Sequence, residues 1–469
     1  MEPTIQQLDI IQAIASGKNV AIQAGAGSAK TTTCLMAGRE IKKPSTYIAF
    51  NATIAAEARS KFPKLYFDCR TINSIAWERL VKGTKFQKKL SVLDRREIGN
   101  FIQTFSNVNS EILGLVTTQV MDLITKFCNS SAPDLDTYFI CNNIEQGLVT
   151  KIANALWEKL IDKNDPIKIS HDIYLKLFQL GRQVIDTDII YWDEFQDTNP
   201  VCLDIFMQQN CQKVVVGDPF QAIYGWRGAI NAFDWLDNSF ETRYLTQSFR
   251  FNQEIADIGN SIIRQLGSEQ EIVGTSQRKI VETKASIVRT NLDLFAFLYN
   301  NYLHGLDTYV NGDLKELFTD LYSASNLRSN GDPTRRFSKK IQGYKNWKEF
   351  VDEAEHVMEN RKIINILNNF PNIYEVIQNI NSIVVKDITV AKDIVSTAHK
   401  AKGLEWDEVT LGDGFFPESF YEDMTEEEQW EYINDGQVGN LLYVCVTRAK
   451  VKVNINKEVR WFLGNGEEV

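Results

Sequence analysis

The sequence lacks the long apolar runs, the paired cysteines and the secretory signal that mark several classes of protein. No stretch of about 18 apolar residues occurs in the chain, which excludes a membrane-spanning helix. Met1–Asp9 is polar and acidic, so we expect no secretory signal. The seven cysteines are scattered and form no CxxC pair. This argues against zinc or iron–sulfur ligation and suits a reducing, cytoplasmic location.

A basic excess is also missing. The chain has 51 Lys and Arg residues against 61 Asp and Glu residues, giving a formal net charge of −10. Taken alone, that balance argues against a nucleic-acid partner. Eight of the acids, however, lie in one segment, Glu418–Asp435, which contains no basic residue, and without them the charge would be −2. The distribution of charge therefore leaves a nucleic-acid partner open.

Two windows of the chain are strongly basic. The first holds Lys82, Lys85, Lys88, Lys89, Arg95 and Arg96 against the single acid Asp94. The second holds Arg328, Arg335, Arg336, Lys339, Lys340, Lys345 and Lys348 against Asp332, with Phe337, Tyr344 and Trp347 interleaved. Either window alone is more often a solvated helix face. We nevertheless expect the second window to contact duplex or single-stranded DNA.

The order of predicted elements indicates an α/β protein. Strand signals at Asn19–Ala24 and Thr46–Phe50 alternate with helix signals at Thr31–Ile41 and Ala52–Lys61. Such alternation is typical of a parallel sheet covered by helices. Further strands are predicted at Thr187–Trp192, Lys213–Val216, Ala285–Arg289, Asp393–Thr397, Glu408–Leu411 and Lys450–Asn456. Val81–Gly181 and Tyr322–Ile383 are helical in pattern, so the sequence predicts two α/β cores, each with a mostly helical insertion.

A candidate phosphate site lies between the first strand and its helix. The segment Ala24-Gly25-Ala26-Gly27-Ser28-Ala29-Lys30-Thr31 has the small residues and the context of a P-loop. Lys30 would reach the β- and γ-phosphates, and the Thr31 hydroxyl would ligate Mg²⁺. We include all of Ala24–Thr32 in the predicted nucleotide site. Ala29 stands where glycine is usual, and we expect a helix-start backbone there, which suits alanine.

A carboxylate cluster follows a later apolar strand. Ile189–Trp192 leads into Asp193-Glu194-Phe195-Gln196-Asp197. Adjacent acids at the end of a strand suit Mg²⁺ binding and activation of a water molecule. Asp193 would hold Mg²⁺ through water, and Glu194 would deprotonate the attacking water. Alone, such a cluster is more often a solvated loop, but together with a P-loop it predicts nucleotide hydrolysis.

The motifs together resemble the UvrD/Rep-like branch of superfamily 1 DNA helicases, and within it the F-box DNA helicase relatives. The resemblance runs from end to end in the family's order. The matching segments are Thr4–Gln7 (adenine-reading glutamine motif), Tyr47–Asn51 (motif Ia), Thr71–Ala76, Asp193–Asp197 (DExQD), Val216–Ala229 (motif III), Gln247–Arg250 (motif IV), Thr397–Glu405 (motif V) and Asn440–Lys450 (motif VI). Asn73 departs from the family, which usually has histidine there.

The resemblance implies two RecA-like domains that bind ATP and Mg²⁺ between them. Residues 1–80 and 182–245 would form the first core around a helical insertion at 81–181. Residues 246–321 and 384–469 would form the second core around a reduced insertion at 322–383. Arg250 and Arg448 would act as arginine fingers, and Gln221 would sense the γ-phosphate. Gln7 and Phe249 would contact adenine, and Glu405 would contact the ribose or the γ-phosphate region. Gly403 also belongs to the nucleotide-binding set.

The resemblance also implies a single-stranded DNA track. Phe50, Tyr224 and Trp226 would stack on bases, and the DNA-binding set continues with Asn51, Asn73, Arg227, His399 and Lys402. Stacking on aromatic rings tolerates any base sequence. The form of motif III implies 3′→5′ movement. We expect single-stranded DNA and single-strand/duplex junctions as partners, no membrane partner, a monomer, and a place at the nucleoid or in the cytoplasm of a phage-infected host.

Two functions from different classes remain open at this point. The first is an ATP-dependent 3′→5′ DNA helicase or translocase. The second is an ATP-gated single-stranded DNA-binding or scaffold protein, in which Ala29 has slowed hydrolysis. The complete set Asp193, Glu194, Gln221, Arg250 and Arg448 favours the first. A P-loop small-molecule kinase is a distant third, because motifs III to VI would then have no purpose.

Overall fold

The computed structural model describes residues 2–225, 228–331, 337–338, 340–344, 346–354, 358–416, 420, 424–434 and 437–464. The chain divides into two compact units, Met1–Leu245 and Thr246–Val469. Helices of the first unit are α1 (Ile5–Ala15), α2 (Lys30–Ile41), α3 (Ala52–Lys61), α4 (Ile72–Leu80), α5 (Phe86–Lys89), α6 (Arg95–Ser106), α7 (Ser110–Asn129), α8 (Leu135–Cys141), α9 (Leu148–Ile161), α10 (His171–Leu180) and α11 (Pro200–Met207). Helices of the second unit are α12 (Gln253–Gln265), α13 (Asn291–Leu303), α14 (Lys315–Arg328), α15 (Trp347–Glu353), α16 (Met358–Asn369), α17 (Ile373–Ile383), α18 (Ala398–Ala401), α19 (Glu426–Asn434), α20 (Val438–Val446) and α21 (Lys457–Phe462).

The first unit is built on a six-stranded parallel sheet. Its strands are β1 (Asn19–Ala24), β2 (Ser45–Ile48), β3 (Phe67–Arg70), β4 (Ile189–Trp192), β5 (Gln212–Gly217) and β6 (Phe240–Leu245), in the spatial order β3-β2-β4-β5-β1-β6. The register pairs Ile22 with Val216 and Ile48 with Trp192. All four residues of β4 are buried, as expected of a parallel strand covered on both faces. The carboxyl ends of these strands therefore meet at one edge of the sheet.

The second unit contains another six-stranded parallel sheet and a small two-stranded one. Its strands are β7 (Gln247–Ser248), β8 (Val273–Gly274), β9 (Lys284–Val288), β10 (Thr308–Asn311), β11 (Val384–Val385), β12 (Asp393–Thr397), β13 (Trp406–Leu411) and β14 (Ala449–Asn454). The large sheet has the order β11-β10-β12-β9-β13-β14, and β7 pairs with β8. The predicted fold class, two RecA-like parallel-sheet domains with helical insertions, is confirmed.

Each helical insertion shares a hydrophobic core with its own sheet. Helices α5 to α10 lie in the chain between α4 and β4, and their buried side chains form one cluster with sheet residues such as Ile48, Ile190 and Val215. Helices α14 to α17 lie between β10 and β11, and Ile377 and Phe350 there join one cluster with Val288 and Val395. The insertions are thus extensions of the two cores and are packed on them.

Strand and helix positions largely follow the sequence prediction. Asn19–Ala24, Ala52–Lys61 and Asp393–Thr397 have the predicted bounds, and the other predicted elements shift by a few residues. The sequence missed β3, β6 and β10, and also the two-residue strands β7, β8 and β11. Strands β3 and β6 are the edges of the first sheet, where one side needs no partner, and their sequences FDCR and FETRYL carry charged residues that hide the strand signal.

Candidate nucleotide and DNA site

The P-loop connects the carboxyl end of β1 to the first turn of α2. Gly27 and Ala29 both adopt a left-handed backbone, with φ of 73° and 61°. The expectation of a helix-start conformation at Ala29 is therefore wrong, because this position lies just before the helix and has ψ of 39°. Only glycine adopts that conformation without a steric penalty, which explains why glycine is usual there. Lys30 is then the first residue of α2.

The loop has a donor set that fits a polyphosphate. The Ser28 side chain is buried, and its Oγ has no hydrogen-bond partner among the described residues. A buried hydroxyl without a partner is costly unless a ligand supplies one. The helix N-terminus that follows favours negative charge. Ser28, Lys30 and the start of α2 together are a fitting cradle for phosphate oxygens.

The predicted catalytic acids lie next to the P-loop. The Lys30 Nζ is 3.1 Å from Glu194 Oε1. Asp193 accepts a hydrogen bond from the buried Tyr47 hydroxyl, which also interacts with the Thr31 side chain. Thr31 and Asp193, the two predicted Mg²⁺ ligands, thus meet at one phenol group on the neighbouring strand β2. Glu194 itself has a left-handed backbone, with φ of 50°.

Burial and charge shift the ionisation of these groups. Burial, followed by the negative charge of Glu194, raises the pKa of Asp193 to about 6. Burial alone would lower the pKa of Lys30, but the carboxylates of Glu194, Asp193 and Asp218 raise it above its ordinary value. Lys30 therefore stays protonated beside these acids, as a group that binds phosphate must.

The predicted γ-phosphate sensor belongs to a buried polar network. Gln221 donates through Nε2 to Asp218 Oδ2 at 2.8 Å. Asp218 in turn donates its backbone N–H to Gln196 Oε1 at 3.1 Å. Gln196 Nε2 lies 2.5 Å from Glu194 Oε2. Residues after β4 and β5 are therefore linked by side-chain hydrogen bonds.

The predicted stacking residues Phe50 and Tyr224 are brought together. Their ring centroids are 5.6 Å apart with an interplanar angle of 11°, and Phe50 is 43% exposed. Asn51 caps α3 by accepting from Ile54 N at 2.9 Å. Asn73 is exposed on the first turn of α4. The residues that line a cavity of about 260 Å³ include Phe50, Asn73, Tyr224 and Glu194.

Gln7 has a structural use in addition to its predicted contact with adenine. Its Oε1 accepts from the Thr4 backbone N–H at 3.0 Å, and its Nε2 donates to Thr33 Oγ1 at 3.0 Å. Gln7 is 4% exposed and ties α1 to α2. The contact with adenine stays a prediction.

In the second unit, residues of motifs IV, V and VI converge. Arg250 Nε lies 2.9 Å from Glu405 Oε2, and its Nη1 donates to the Thr447 carbonyl at 3.0 Å. Arg448 is 2% exposed and donates to the carbonyls of Val444 and Leu404. Both predicted arginine fingers therefore sit in the same cluster as the predicted nucleotide contact Glu405. Phe249, beside Arg250, is 39% exposed.

The predicted DNA contacts of the second unit follow strand β12. His399 lies in the short helix α18, and Lys402 and Gly403 come directly after it. Gly403 has a left-handed backbone with φ of 86°. Asn311, at the end of the adjacent β10, donates to Ser396 Oγ and to the Lys400 carbonyl, both at 3.1 Å. These two hydrogen bonds hold α18 against the neighbouring strand β10.

Comparison with known proteins agrees with these motifs. A family model described as the UvrD/REP helicase N-terminal domain matches residues 149–241. F-box DNA helicase 1 of Gallus gallus is 30% identical, over 95% of this chain and 48% of the relative. F-box DNA helicase protein 1 of Schizosaccharomyces pombe is 25% identical, over 94% and 56%. The Gabija protein GajB of Bacillus cereus is 24% identical, over 94% and 93%.

This chain belongs to the UvrD-like family of superfamily 1 helicases. Its place near the F-box branch is confirmed by the first two relatives. The chain spans about half the length of those F-box relatives, at 48% and 56%, and nearly all of GajB, at 93%.

Several predicted residues of this UvrD-like chain lie outside the described residues. These are Trp226 and Arg227 of motif III and Arg335, Arg336, Lys339 and Lys345 of the second basic window. Of the described basic residues in that window, Arg328 donates to the Leu367 carbonyl at 2.7 Å, and Lys340 pairs with Asp320 at 3.3 Å. In the first window, Lys89 is buried and donates to the Leu160 carbonyl at 3.1 Å. These three residues stabilise the insertions, whereas Lys348 is exposed.

Sequence reasoning missed three residues of this UvrD-like site: Tyr47, Gln196 and Asp218. Each was quoted inside a motif but was given no role of its own. A tyrosine in a predicted buried strand was the available signal for Tyr47, because a buried phenol needs a hydrogen-bond partner. No signal in the sequence pairs Gln196 with Asp218, since that contact depends on how β4 and β5 align.

The described part of this UvrD-like chain contains neither a membrane-spanning helix nor a cluster of metal ligands. None of its helices combines the length and apolar character that a bilayer crossing requires. Among the residues that the structure describes, no group of three or more His, Cys, Asp or Glu residues is placed to hold a metal ion. Mg²⁺ bound with a nucleotide needs only one or two protein ligands plus phosphate oxygens, so Thr31 and Asp193 suffice.

Proposed function

We propose that this protein is an ATP-dependent DNA helicase that moves 3′→5′ along single-stranded DNA. The observation that carries the proposal is the arrangement in the first unit. Lys30 and Glu194 are joined at 3.1 Å beside a phosphate cradle, and Glu194 also lines a cavity that reaches the stacked pair Phe50 and Tyr224. The proposed nucleotide chemistry and the base-stacking residues thus line the same cavity.

The proposed chemistry is hydrolysis of the γ-phosphate of ATP. Lys30 and Ser28 would bind phosphate oxygens, and Glu194 would take a proton from the attacking water. Mg²⁺, when bound, would neutralise phosphate charge, and Thr31 and Asp193 are the residues that would hold it. Tyr47 orients Asp193 through its hydroxyl.

Arg250 and Arg448 are the proposed donors to charge that develops on the γ-phosphate. Fixed cationic donors of this kind contribute strongly to phosphoryl transfer. The cluster with Glu405 supports the assignment, because Arg250 Nη1 is held by the Thr447 carbonyl and Arg448 is buried among carbonyl acceptors. Gln7, Phe249 and Gly403 complete the proposed nucleotide contacts.

The proposed DNA track uses aromatic stacking in the first unit and polar contacts in both. Phe50 and Tyr224, with Trp226, would stack on bases, and stacking is worth about 1–3 kcal/mol per base. Asn51, Asn73, Arg227, His399 and Lys402 would contact the strand. We propose the domain division 1–80 with 182–245, 81–181, 246–321 with 384–469, and 322–383, and a monomer acting on single strands and junctions.

The test is ATP hydrolysis with and without single-stranded DNA, in the wild type and in Lys30→Ala. We expect DNA to stimulate turnover in the wild type and Lys30→Ala to reduce it by about 10³-fold or more, because a phosphate-neutralising group is lost. Lys18→Ala is the matched control, since Lys18 pairs with Glu241 on the surface of the same unit. Turnover that is absent from the wild type, or that survives Lys30→Ala, would defeat the proposal.

A further inference from the structure

Gln196 is a fully buried glutamine whose amide joins two parts of the first unit. Its Nε2 lies 2.5 Å from Glu194 Oε2 and 3.3 Å from Asp197 Oδ2. Its Oε1 accepts the Asp218 backbone N–H at 3.1 Å. The relative exposure of Gln196 is 0%. One side chain therefore donates to the predicted water-activating acid and accepts from the segment that follows β5.

Gly217 leaves the space that the Gln196 amide occupies. A Cβ atom added at Gly217 would lie 2.1 Å from Gln196 Oε1 and 3.0 Å from the Phe195 backbone nitrogen. The first distance is shorter than real Cβ contacts, so an alanine at 217 would displace the Gln196 carbonyl. Gly217 ends β5 and directly precedes Asp218. Because Gly217 has no side chain, Gln196, which follows β4, can accept the hydrogen bond from the backbone N–H of Asp218, which follows β5.

The bridge continues toward the stacking pair. Asp218 Oδ2 accepts from Gln221 Nε2 at 2.8 Å, and Asp218 O accepts from Gln221 N at 2.9 Å. Tyr224 follows three residues later and stacks on Phe50. At the other end, Glu194 Oε1 holds Lys30 Nζ. Buried hydrogen-bonded groups thus connect the phosphate-binding lysine to the short segment that carries Tyr224.

We propose that Gln196 is the positioning residue that couples the nucleotide state at Glu194 to the DNA-stacking segment 218–224. This role rests on the proposed function and concerns how a bound nucleotide regulates DNA binding within the first unit. When a nucleotide draws Lys30 and Glu194 toward its phosphates, Glu194 Oε2 moves, and Gln196 transmits the shift to the Asp218 amide. The amide suits this role because it is a donor at one end and an acceptor at the other, so both bonds depend on one planar group.

Two variants interrupt the bridge in different ways. Gln196→Ala removes the amide and keeps Lys30, Glu194 and Gln221. Gly217→Ala keeps the amide but displaces it, and should have the same effect. Gln209→Ala is the matched control, because Gln209 is also a buried glutamine that bonds to backbone groups, the Ile205 carbonyl and the Ile185 N–H, away from the site.

The readout is the ratio of single-stranded DNA affinities with and without ADP–aluminium fluoride, measured by anisotropy of a labelled oligothymidine. We expect a nucleotide-dependent ratio in the wild type and in Gln209→Ala. Gln196→Ala and Gly217→Ala should reduce that ratio by about threefold or more. Adding Gln221→Ala to Gln196→Ala should change it little further, because both residues act in one network. If Gln196 had only a structural role, Gln196→Ala and Gln209→Ala would lower stability by similar amounts. The ratio of DNA affinities would then stay at its wild-type value.

The outcomes separate this inference from the proposed function. An unchanged ratio in Gln196→Ala, or a wild type without any nucleotide-dependent ratio, overturns the coupling role. A wild type that shows the ratio, loses it in both bridge variants, and yet hydrolyses no ATP supports the coupling role while the helicase proposal fails.

Discussion

At the scale of single residues, the phosphate site holds two strained backbones that glycine could relieve. Ala29 and Glu194 have φ of 61° and 50°. Such a conformation costs a residue with a Cβ about 1–2 kcal/mol. Strain of this kind persists where surrounding structure enforces it, and it concentrates at functional sites. At Glu194, the turn directs the carboxylate back to Lys30 immediately after β4.

The strain at Ala29 predicts that Ala29→Gly stabilises the start of α2. The left-handed penalty disappears while the unfolded chain gains some freedom, so the free energy of local opening of α2 should rise by up to about 1 kcal/mol. Hydrogen exchange of the amides in the first turns of α2 measures this. Ala56→Gly is the matched control, since Ala56 lies exposed in the interior of α3. The same substitution there should destabilise by about 1 kcal/mol.

The same variant separates the helicase from the ATP-gated binding protein, which the relatives do not favour. If Ala29 merely strains a competent loop, Ala29→Gly should change ATP turnover by less than about threefold. A rise of tenfold or more would mean that alanine had slowed hydrolysis. A loss of stability in Ala29→Gly would contradict the left-handed backbone itself.

At the scale of elements, one buried carboxylate ties three segments of the second unit together. The Asp407 side chain in β13 is fully buried and lies 3.2 Å from both Arg278 Nε and Lys450 Nζ. It also accepts from the Glu282 and Thr283 backbone N–H groups at 3.0 and 2.9 Å. Burial alone would raise the pKa of Asp407, but these hydrogen bonds lower it to about 2.

This pKa predicts how the stability of the second unit depends on pH. Because the folded pKa lies below the unfolded value of about 3.9, the carboxylate stabilises the fold above about pH 4, and this contribution is lost as pH falls toward 2. Asp407→Asn should cost about 2 kcal/mol at neutral pH, and most of that cost should disappear near pH 2.

Hydrogen exchange of β13 and β14 amides between pH 6 and pH 2.5 measures the difference. Asp257→Asn is the control, since Asp257 is exposed in α12. If the difference in opening free energy between the wild type and Asp407→Asn stays constant over that pH range, the low pKa of Asp407 is contradicted.

The helical insertions were predictable as elements but not as parts of the core. Helical periodicity in 81–181 and 322–383 gave their class. Their shared clusters with sheet residues, such as Ile377 with Val395, depend on contacts distant in sequence. Likewise, strand β4 was predictable from its apolar run. Edge strand β6 was not, because its residues Glu241 and Arg243 are charged and pair with each other and with Lys18 and Asp9.

At the scale of the whole molecule, ordered motifs carried more information than composition. The net charge of −10 argued against a DNA partner, and the P-loop, DExQD and motif III argued for one. The sequence predicted that Lys30, Thr31, Asp193 and Glu194 share a site. It did not predict that Tyr47 joins Thr31 to Asp193, since that contact follows from the pairing of β2 with β4.

The structure also shows what several cations of the two basic windows contact. Arg328, Lys340 and Lys89, three cations of the basic windows, are used in internal contacts. Basic windows are therefore a weaker guide to a nucleic-acid surface than the stacked pair of exposed Phe50 and half-buried Tyr224. The acidic segment Glu418–Asp435 includes α19, and Glu418, Glu422, Asp423 and Asp435 lie outside the described residues.

Strand displacement with ATP and Mg²⁺ on 3′-tailed and 5′-tailed duplexes tests the central claim most directly. We expect release of the strand from the 3′-tailed duplex, none from the 5′-tailed duplex, and none from either with Lys30→Ala. Release from the 5′-tailed duplex alone would contradict the polarity, and no release from either duplex by an enzyme that binds both would contradict the helicase itself.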